Sequence, residues 1–392
     1  TDVLPAPAEP AVMPAASPVP LAPEPAPAQT TRAVEAPATS IVTEDEAPSV
    51  PGWLVPGLVG AGSLLAGSLW VALGRRRAAQ LRARRPGRMI ATPPPELDPI
   101  EKTLRAEGAA ATLDVAFLDE ALRRLAARQG RAGEPMPHLA AVEQADDLIR
   151  LHLADPADLP EPWQQATDRL RWELPTHSSL VEVGPLDEAL PAPYPQLVTL
   201  GLDEGGHRWL YNLEEAGVLR VIGDPDRARD FVRHAAAELA VHPWTRDVHV
   251  ECVGIAGEAV AFNPRRVRHH DTADITAHVI ADTVAMIDRT REAGLDIHTG
   301  RATLLDDPLW DSRLLLLDTD RTDLTEQLAR LLSDQPRQTG TALIMIDVDG
   351  AFEDIDAEML RLTGDGHLQL PGVGLTLTAA GLTARDTAGC AA

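Results

Sequence analysis

Short apolar runs alternate with amphipathic stretches in the C-terminal half of this 392-residue chain. The runs "QLVTLGLD" and "RWLYNLEE" flank the turn Glu204-Gly205-Gly206 and predict a β-hairpin. Four further apolar runs predict buried strands, at 217–223, 248–254, 313–318 and in the 340s. Amphipathic helical patterns separate or follow them, near 226–241, 274–293 and 321–333. This alternation predicts an α/β fold in which helices cover both faces of a parallel sheet.

A different pattern precedes this region: the uncharged run "WLVPGLVGAGSLLAGSLWVALG", 22 residues long, at 53–74. At about 1.5 Å per residue, a helix of this length matches a hydrocarbon layer of about 30 Å. Small residues suited to close helix contact lie along it, namely Gly60, Ser63, Gly67 and Ser68. We interpret the run as a single transmembrane helix, and a buried core helix is the alternative.

A basic cluster follows the run, with no acidic residue before Glu96. Its arginines are Arg75, Arg76, Arg77, Arg82, Arg84, Arg85 and Arg88. By the positive-inside rule, this side of the predicted span is cytoplasmic. The same cluster is expected to bind anionic headgroups of the lipid bilayer. The predicted location is therefore the cell membrane, with one pass, an extracytoplasmic N-terminus and a cytoplasmic C-terminal domain.

The N-terminal arm, residues 1–52, has a composition that does not support a folded core. It carries 12 of the 34 prolines and a single basic residue, Arg32. Such Ala-Pro and Glu-Pro repeats favour an extended, disordered segment with polyproline II character. We predict an extracytoplasmic, Pro/Ala-rich spacer.

Breaks in these patterns set the remaining boundaries. Residues 75–95 form a basic juxtamembrane linker, and 96–130 form a helical segment. The α/β domain is placed at 131–350, and 351–392 is predicted as a β-rich extension that is incomplete at its end. The apolar face of the helical segment is assigned to Leu113, Phe117, Leu118, Leu122 and Leu125. Because the first residue is Thr1, we interpret the chain as a fragment or a processed product.

Charge and cysteine content narrow the function classes. The formal net charge of −24 argues against a chain that binds nucleic acid over its whole length, because phosphate neutralisation needs clustered Lys and Arg. DNA is a predicted partner only if a C-terminal DNA-binding domain is missing from this sequence. The two cysteines, Cys252 and Cys390, are far apart and indicate neither a disulfide framework nor a zinc knuckle.

The stretch "VIGDPDRARDF", residues 221–231, leads from a strand through a glycine turn into a helix, as phosphate-binding loops do. Only Gly223 of the required residues is present, and the sole lysine of the chain, Lys102, lies more than a hundred residues away. Asp224 and Asp226 stand where an anion would bind and would repel phosphate. The pattern predicts a degenerate phosphate loop.

Acids also follow two of the predicted strands, Asp318 in "LLLLDTD" and Asp347 in "IMIDVD". These are positions where a Walker B aspartate could hold Mg²⁺, although solvated turn residues are the alternative. The next residues are Thr319 and Val348, where a motor ATPase carries its catalytic Glu. We therefore predict no catalytic residue and no cofactor.

The densest group of histidines does not have metal-binding spacing. Its members are His269, His270, Asp271 and His278. Between His270 and His278 the helix would turn more than twice without an intermediate ligand. No metal site is predicted, and a solvated loop is preferred. Cys252, inside an apolar strand, is interpreted as an inert core residue.

The segment "LVTLGLDEGGHRWLYNLEEAGVLRVIGD" resembles the beginning of the ATPase module of FtsK-type DNA translocases and type VII secretion motors. The resemblance covers about 190–350 and consists of strand order and hairpin, while every catalytic side chain differs. The membrane span followed by cytoplasmic domains also resembles actinobacterial membrane-anchored regulators of the AfsR/SARP-like class, in which LysM and winged-helix modules occur. Neither module is found in this chain.

Two functions follow from these resemblances. The first interpretation is a single-pass membrane protein that forms part of a transcriptional regulator, as its class implies. Its cytoplasmic module is catalytically silent and binds protein partners. The alternative is an accessory subunit of a secretion or DNA-transfer motor ATPase.

Overall fold

Fourteen strands form one mixed sheet in the computed structural model, which describes residues 55–83, 94–303 and 310–392. The strands are β1 (Leu139–Gln144), β2 (Leu148–Leu153), β3 (Gln164–Gln165), β4 (Arg171–Pro175), β5 (Leu197–Leu202), β6 (Arg208–Asn212), β7 (Val218–Gly223), β8 (Val248–Val253), β9 (Val267–His270), β10 (Ser312–Leu317), β11 (Thr341–Ile346), β12 (Glu358–Leu362), β13 (His367–Leu370) and β14 (Leu375–Ala379). The predicted arm at 1–52 lies outside the described residues.

The described helices flank this sheet. They are α1 (Ser63–Ala83), α2 (Asp98–Thr103), α3 (Ala109–Ala132), α4 (Leu180–Val183), α5 (Leu213–Ala216), α6 (Pro225–Val241), α7 (Ile275–Ala293), α8 (Ile297–Thr303), α9 (Asp323–Asp334) and α10 (Ala384–Ala391). A π-helical turn at Leu104–Gly108 joins α2 to α3. Helix starts follow ordinary capping chemistry. Thr322, for example, accepts a hydrogen bond from the backbone N–H of Thr325 at the start of α9.

The sheet has a parallel half and an antiparallel half. Strands β12, β7, β11, β10, β8 and β9 are neighbours in that order and all run parallel. The antiparallel half has the order β3, β4, β2, β1, β6, β5. The predicted hairpin at 197–212 and the four predicted strands of the parallel half are confirmed. The sequence pattern did not anticipate that the parallel region continues into an antiparallel one.

Helices cover both faces of the parallel half. Leu219 and Val221 of β7 pack with Phe231 of α6, whereas the alternate residue Val218 packs with Leu328 of α9. Successive strand residues point to opposite faces, so α6 and α9 lie on opposite sides of the sheet. The mixed α/β class is confirmed.

A three-stranded segment, β12–β13–β14, connects the two halves. β12 pairs with β7, and β14 pairs with β5 through Ala379 opposite Gly201 and Thr378 opposite Leu202. An ideal Cβ on Gly201 would lie 2.2 Å from the carbonyl oxygen of Thr378, so the close approach of β14 depends on glycine at this position. Residues 351–392 thus contribute strands to the same sheet as the predicted α/β domain.

The predicted span at 53–74 has a different structure in its described part. Pro56–Leu58 and Gly60–Gly62 form short 3₁₀ turns, and only from Ser63 does helix α1 begin. Pro56 lacks a backbone donor and Gly60 has a φ of +56°, which interrupts a continuous helix. Among the described residues, no helix combines the length and apolar character that crossing a membrane requires.

The first two turns of α1 are buried by the rest of the chain. Leu65 and Leu69 pack with Ala237 of α6 and with Leu382. Gly67 permits close contact with α3, because an ideal Cβ there would lie 3.0 Å from the backbone of Ala111. Gly67, one of the small residues predicted to permit close helix contact, therefore contacts a helix of the same chain.

We expect Leu65→Ala to lower the free energy of unfolding by about 2–5 kcal/mol, because it leaves a cavity beneath α1. Leu81→Ala, at a position 58% exposed near the end of the same helix, is the matched control and should change it by less than about 0.5 kcal/mol. Urea unfolding of the full chain measures both. Equal effects of the two substitutions would show that α1 does not pack as described.

Two further expectations for this region have mixed outcomes. Leu118, Leu122 and Leu125 of α3 are buried as predicted, but Leu113 is 75% exposed, so its assignment to the core face was wrong. At about 100° per residue, position 113 lies about 140° around the helix from Leu118.

In the basic cluster, Arg75, Arg76, Arg77 and Arg82 belong to the second half of α1, whereas Arg84, Arg85 and Arg88 lie outside the described residues. Their contact with lipid headgroups stays a prediction.

Candidate functional site at the carboxyl edge of the parallel sheet

The parallel strands β7, β11 and β10 end at one edge of the sheet. Gly223 ends β7, while Asp347 and Asp318 directly follow β11 and β10. Ligand sites of open α/β sheets lie at this edge, because loops from neighbouring strands converge there. The structure therefore gathers the predicted phosphate-loop position and the two strand-end acids in one region.

Gly223 has a structural role in this edge. Its φ is +102°, and an ideal Cβ would lie 2.0 Å from the carbonyl oxygen of Leu362 in β12. The N–H of the next residue, Asp224, donates to the same carbonyl at 2.9 Å. Any side chain at 223 would collide with the neighbouring strand, so strand packing alone explains this glycine.

Asp224 occupies the anion-binding end of α6 with its own carboxylate. Its Oδ1 accepts hydrogen bonds from the backbone N–H groups of Asp226 (3.1 Å) and Arg227 (2.9 Å). In a phosphate loop, free N–H groups at a helix start bind the ligand. Here they are satisfied within the chain. The exposed Asp226 adds a second negative charge to the same turn.

The strand-end acid Asp347 is buried and fully engaged. Its Oδ2 accepts from Nε of Arg220 at 3.0 Å and from Nη2 at 2.5 Å, while its Oδ1 accepts from the N–H of Phe352 at 3.2 Å. Arg220 projects from the middle of β7, where the parallel register places it beside Met345 of β11. The guanidinium of Arg220 already neutralises this buried carboxylate, so a Mg²⁺ ion would have to share Asp347 with it.

Asp318 is held in a similar way. Its Oδ2 accepts from Nε of Arg229, in the second turn of α6, at 2.8 Å. The pair raises the pKa of Arg229 through its hydrogen bond and charge, and it fastens the start of α6 to the end of β10. The strand-end acids Asp347 and Asp318 are thus each neutralised by an arginine, where a metal ion would otherwise balance the charge.

Sequence reasoning missed both arginines. A signal was present for Arg220, since it is the only charged residue in the run "VLRVIG" and a charge inside a buried strand needs a partner. No comparable signal existed for Arg229, which lies on a helix rich in charged residues.

A second group of buried polar residues lies at the far end of α6. Glu238, His234 and His242 are spaced at four residues along one face, and Nε2 of each histidine is 3.2 Å from Oε1 of Glu238. Nδ1 of His242 is 2.6 Å from the hydroxyl oxygen of Ser68 on α1. Glu238 also accepts from the N–H of Thr199 (2.7 Å) and from its hydroxyl (2.8 Å).

Ser68, His242 and Glu238 are the residue types of a nucleophilic serine with its base and acid. The donors that would stabilise an oxyanion are not arranged around Ser68. Ser68 lies inside α1, where backbone N–H groups bond to the preceding turn and are not directed at a reacting carbonyl. A cleft of about 790 Å³ adjoins Ser68 and His242, and Arg123 on its wall is engaged by Asp119 and the carbonyl of Leu190. The group fastens α1, α6 and β5 together.

The solvated loop preferred for the histidine group was wrong, because its histidines lie on a strand and a helix. His269 and His270 lie on β9, and Nε2 of His270 is 2.7 Å from Oε2 of Glu251, whereas His278 belongs to α7. Cys252 is fully buried in β8, and burial raises the pKa of its thiol to about 12, which keeps it protonated and unreactive.

No protein-family model matches the chain, and no curated protein matches it. Among solved structures, it is similar to the cytoplasmic domain of the Thermomonospora curvata type VII secretion ATPase EccC, with 15% identity, a TM-score of 0.37, and coverage of 51% of this chain and 28% of that chain. It is also similar to T. curvata EccC (ATPases 2 and 3) in complex with a signal sequence peptide, with 13% identity, a TM-score of 0.35, and coverage of 59% and 57%.

A third similar structure is EssC (ATPases 2 and 3) from Geobacillus thermodenitrificans, with 9% identity, a TM-score of 0.35, and coverage of 58% of this chain and 57% of that chain. The chain spans less than two thirds of the length of each of these three structures. All three are ATPases by name, and the first is named a type VII secretion ATPase. The interpretation as an AfsR/SARP-like regulator with LysM relatives finds no match and stays a prediction.

Proposed function

We propose that this chain is a catalytically silent relative of motor ATPase modules and acts as an accessory, protein-binding subunit of a secretion or DNA-transfer motor. The observation that carries the proposal is the closed carboxyl edge of the sheet. There the carboxylate of Asp224 accepts hydrogen bonds from the N–H groups at the start of α6, and the guanidinium of Arg220 donates to the carboxylate of Asp347.

Electrostatics support a silent site. A phosphate loop stabilises the β- and γ-phosphates with backbone N–H groups, a lysine and a magnesium ion. At this edge Asp224 and Asp226 present negative charge, and the only lysine of the chain is Lys102, at the start of the helical segment before the sheet. The two arginines described at this edge, Arg220 and Arg229, are paired with Asp347 and Asp318, so the site offers neither a lysine nor an unpaired guanidinium from these residues to the phosphates.

A module without nucleotide chemistry acts through its surface. The formal net charge of −24 favours a partner whose docking face carries Lys and Arg. The resemblance of residues 190–350 to the FtsK and type VII motor modules points to an active member of that class as the partner. The membrane location predicted from the sequence is a separate hypothesis, on which this proposal does not depend.

We expect the full chain to give no saturable heat with Mg-ATP at micromolar concentrations and no phosphate release. Asp224→Ser keeps a capping hydroxyl at the start of α6 but removes the carboxylate. This variant should still bind no ATP, since a lysine and a magnesium ligand remain missing. Calorimetry and a phosphate-release assay measure both proteins. Saturable micromolar binding by the unmodified chain would refute the silent site.

The accessory role is tested separately, with the EccC-type or FtsK-type ATPase of the same organism as the purified probe. Sedimentation should show a stoichiometric complex that weakens between about 0.1 M and about 0.5 M salt, because the expected contact is between opposite charges. A failure to associate with either ATPase would overturn the accessory role while leaving the silent site intact.

A further inference from the structure

Two carboxylates and a histidine converge on the antiparallel half of the sheet, far from the carboxyl edge described above. Glu143 lies on β1, while Asp203 and His207 lie at the two ends of the β5–β6 turn. One oxygen or nitrogen from each lies within 4.8 Å of those of the other two. Among the described residues, these three form the group with the ligand types and spacing of a metal centre.

The distances fit a tetrahedral ion. Nδ1 of His207 is 3.2 Å from Oε1 of Glu143 and 3.4 Å from Oδ2 of Asp203. At metal–ligand distances of about 2.0–2.1 Å, two ligand atoms of a tetrahedral zinc site lie about 3.4 Å apart. These two pairs match that spacing, and the oxygens of Glu143 and Asp203 lie within 4.8 Å of each other, so one ion can bind all three groups after the side chains adjust.

Neighbouring donors already hold the carboxylates in place. Asp203 accepts from the backbone N–H of His207 at 2.9 Å through Oδ1 and from Nε1 of Trp209 at 3.1 Å through Oδ2. Oε2 of Glu143 is 3.0 Å from Nε2 of His152, and both of its oxygens accept from Nη1 of Arg150. Such outer hydrogen bonds orient ligands in established metal sites.

The local charge matches a divalent cation. Arg150 donates to Glu143 and Glu173, and Asp203 is a third carboxylate of the group, so three carboxylates stand against one guanidinium. The excess of two negative charges equals the charge of one divalent ion.

We propose that Glu143, Asp203 and His207 form a zinc-binding site, with a fourth position open to water. The mixture of one imidazole nitrogen and two carboxylate oxygens suits zinc better than Mg²⁺, which prefers an octahedron of oxygens. His207 is 41% exposed and Asp203 is 22% exposed, so an ion reaches the site directly from solvent. The site would fasten the β5–β6 turn to β1.

The test is a titration of the metal-free full chain with Zn²⁺ by calorimetry, with Co²⁺ as a spectroscopic probe of tetrahedral geometry. We expect one ion per chain at micromolar concentration and visible absorption typical of tetrahedral cobalt. His207→Ala should weaken binding by at least about 10-fold to 100-fold, as the loss of a ligand or its support does in known sites. Asp203→Asn should also weaken it.

His367→Ala is the matched control. His367 lies beside a turn, with Nδ1 3.2 Å from Oδ2 of Asp365, and it is 48% exposed. Its removal should leave zinc binding unchanged, and circular dichroism should show that every variant folds. The proposal is overturned if the unmodified chain binds no zinc, or if His207→Ala and His367→Ala bind it as tightly as the unmodified chain.

Discussion

Replacing Arg301 by methionine is expected to lower the free energy of unfolding by about 3–5 kcal/mol at neutral pH. Arg301 and Glu214 are both almost fully buried, and Nη1 and Nη2 of the arginine each donate to a carboxylate oxygen at 2.7 Å. Nε of Arg301 donates to the carbonyl of Trp310 at 3.0 Å. Methionine fills a similar volume but leaves Glu214 as an uncompensated buried charge.

The loss should depend on pH. Burial raises the pKa of Glu214, but Arg301, with smaller contributions from His298 and Ser312, lowers it more, so its net value lies below the ordinary 4.5. The pair therefore contributes stability that is present above pH 4.5 and is lost as pH falls through the folded-state pKa. In Arg301→Met the charge and hydrogen bonds of the guanidinium are lost, while burial, His298 and Ser312 remain. The pKa of Glu214 should then rise, and stability should fall as pH rises above the ordinary value.

Urea unfolding at several pH values between about 4 and 7 measures this difference, which should widen with increasing pH. Arg291→Met is the control, because Arg291 forms an exposed pair with Asp288 at 3.1 Å. It should change stability by less than about 0.5 kcal/mol at every pH. A loss for Arg301→Met that stays constant across this range would contradict the role assigned to the Glu214 charge.

Glu238→Ala should have an effect of similar size, about 3–5 kcal/mol, because each buried donor left without a partner costs about 1–3 kcal/mol. The substitution removes the acceptor of both Thr199 donors and the partner of His234 and His242. Hydrogen exchange should show faster exchange of the Thr199 amide, because that amide loses the carboxylate oxygen of Glu238 as its hydrogen-bond acceptor.

Glu238→Gln separates the contribution of shape from that of charge. The amide oxygen can still accept from Thr199, while its NH₂ group can meet only one tautomer of the neighbouring histidines. We expect a loss smaller than that of the alanine variant, about 1–2 kcal/mol. Glu134→Ala, at an exposed position, is the control and should change stability by less than about 0.5 kcal/mol. Equal losses for the alanine variants at 238 and 134 would refute the network.

The local part of the fold was predictable because its signals lie close together in the sequence. The runs that became β7, β8, β10 and β11 are apolar, short and bounded by turn residues, and this pattern depends on neighbouring residues alone. The order of the strands depends on contacts between distant segments. For this reason the insertion of β12–β14 between β5 and β7 was not anticipated.

The interpretation of 53–74 shows a different limit. Leu64, Leu65 and Leu69 are as well suited to a protein interior as to lipid, and Gly67 permits close packing in either medium. Hydrophobic content therefore did not distinguish the two environments. The described structure places Ser63–Leu69 against α3 and α6, which agrees with the alternative of a buried helix.

In the candidate site, too, residues close together in the sequence were predictable, and pairs far apart in the sequence were not. Gly223 and Asp224 were identified because strand, turn and helix follow one another directly. Arg220 with Asp347 and Arg229 with Asp318 are separated by 127 and 89 positions, so only the folded sheet brings these pairs together. The proposed zinc ligands were missed for the same reason, since Glu143 lies on a different strand from the turn that carries His207.

The connection of the two sheet halves through β14 has a consequence for synthesis of the chain. β5 emerges from the ribosome well before β14, and until residues 375–379 follow, the apolar strand Leu197–Leu202 has an unpaired edge beside Gly201. Unpaired apolar edges associate with other chains. Nascent chains arrested between residues 223 and 375 should therefore aggregate through β5, and elongation past Ala379 should relieve that aggregation.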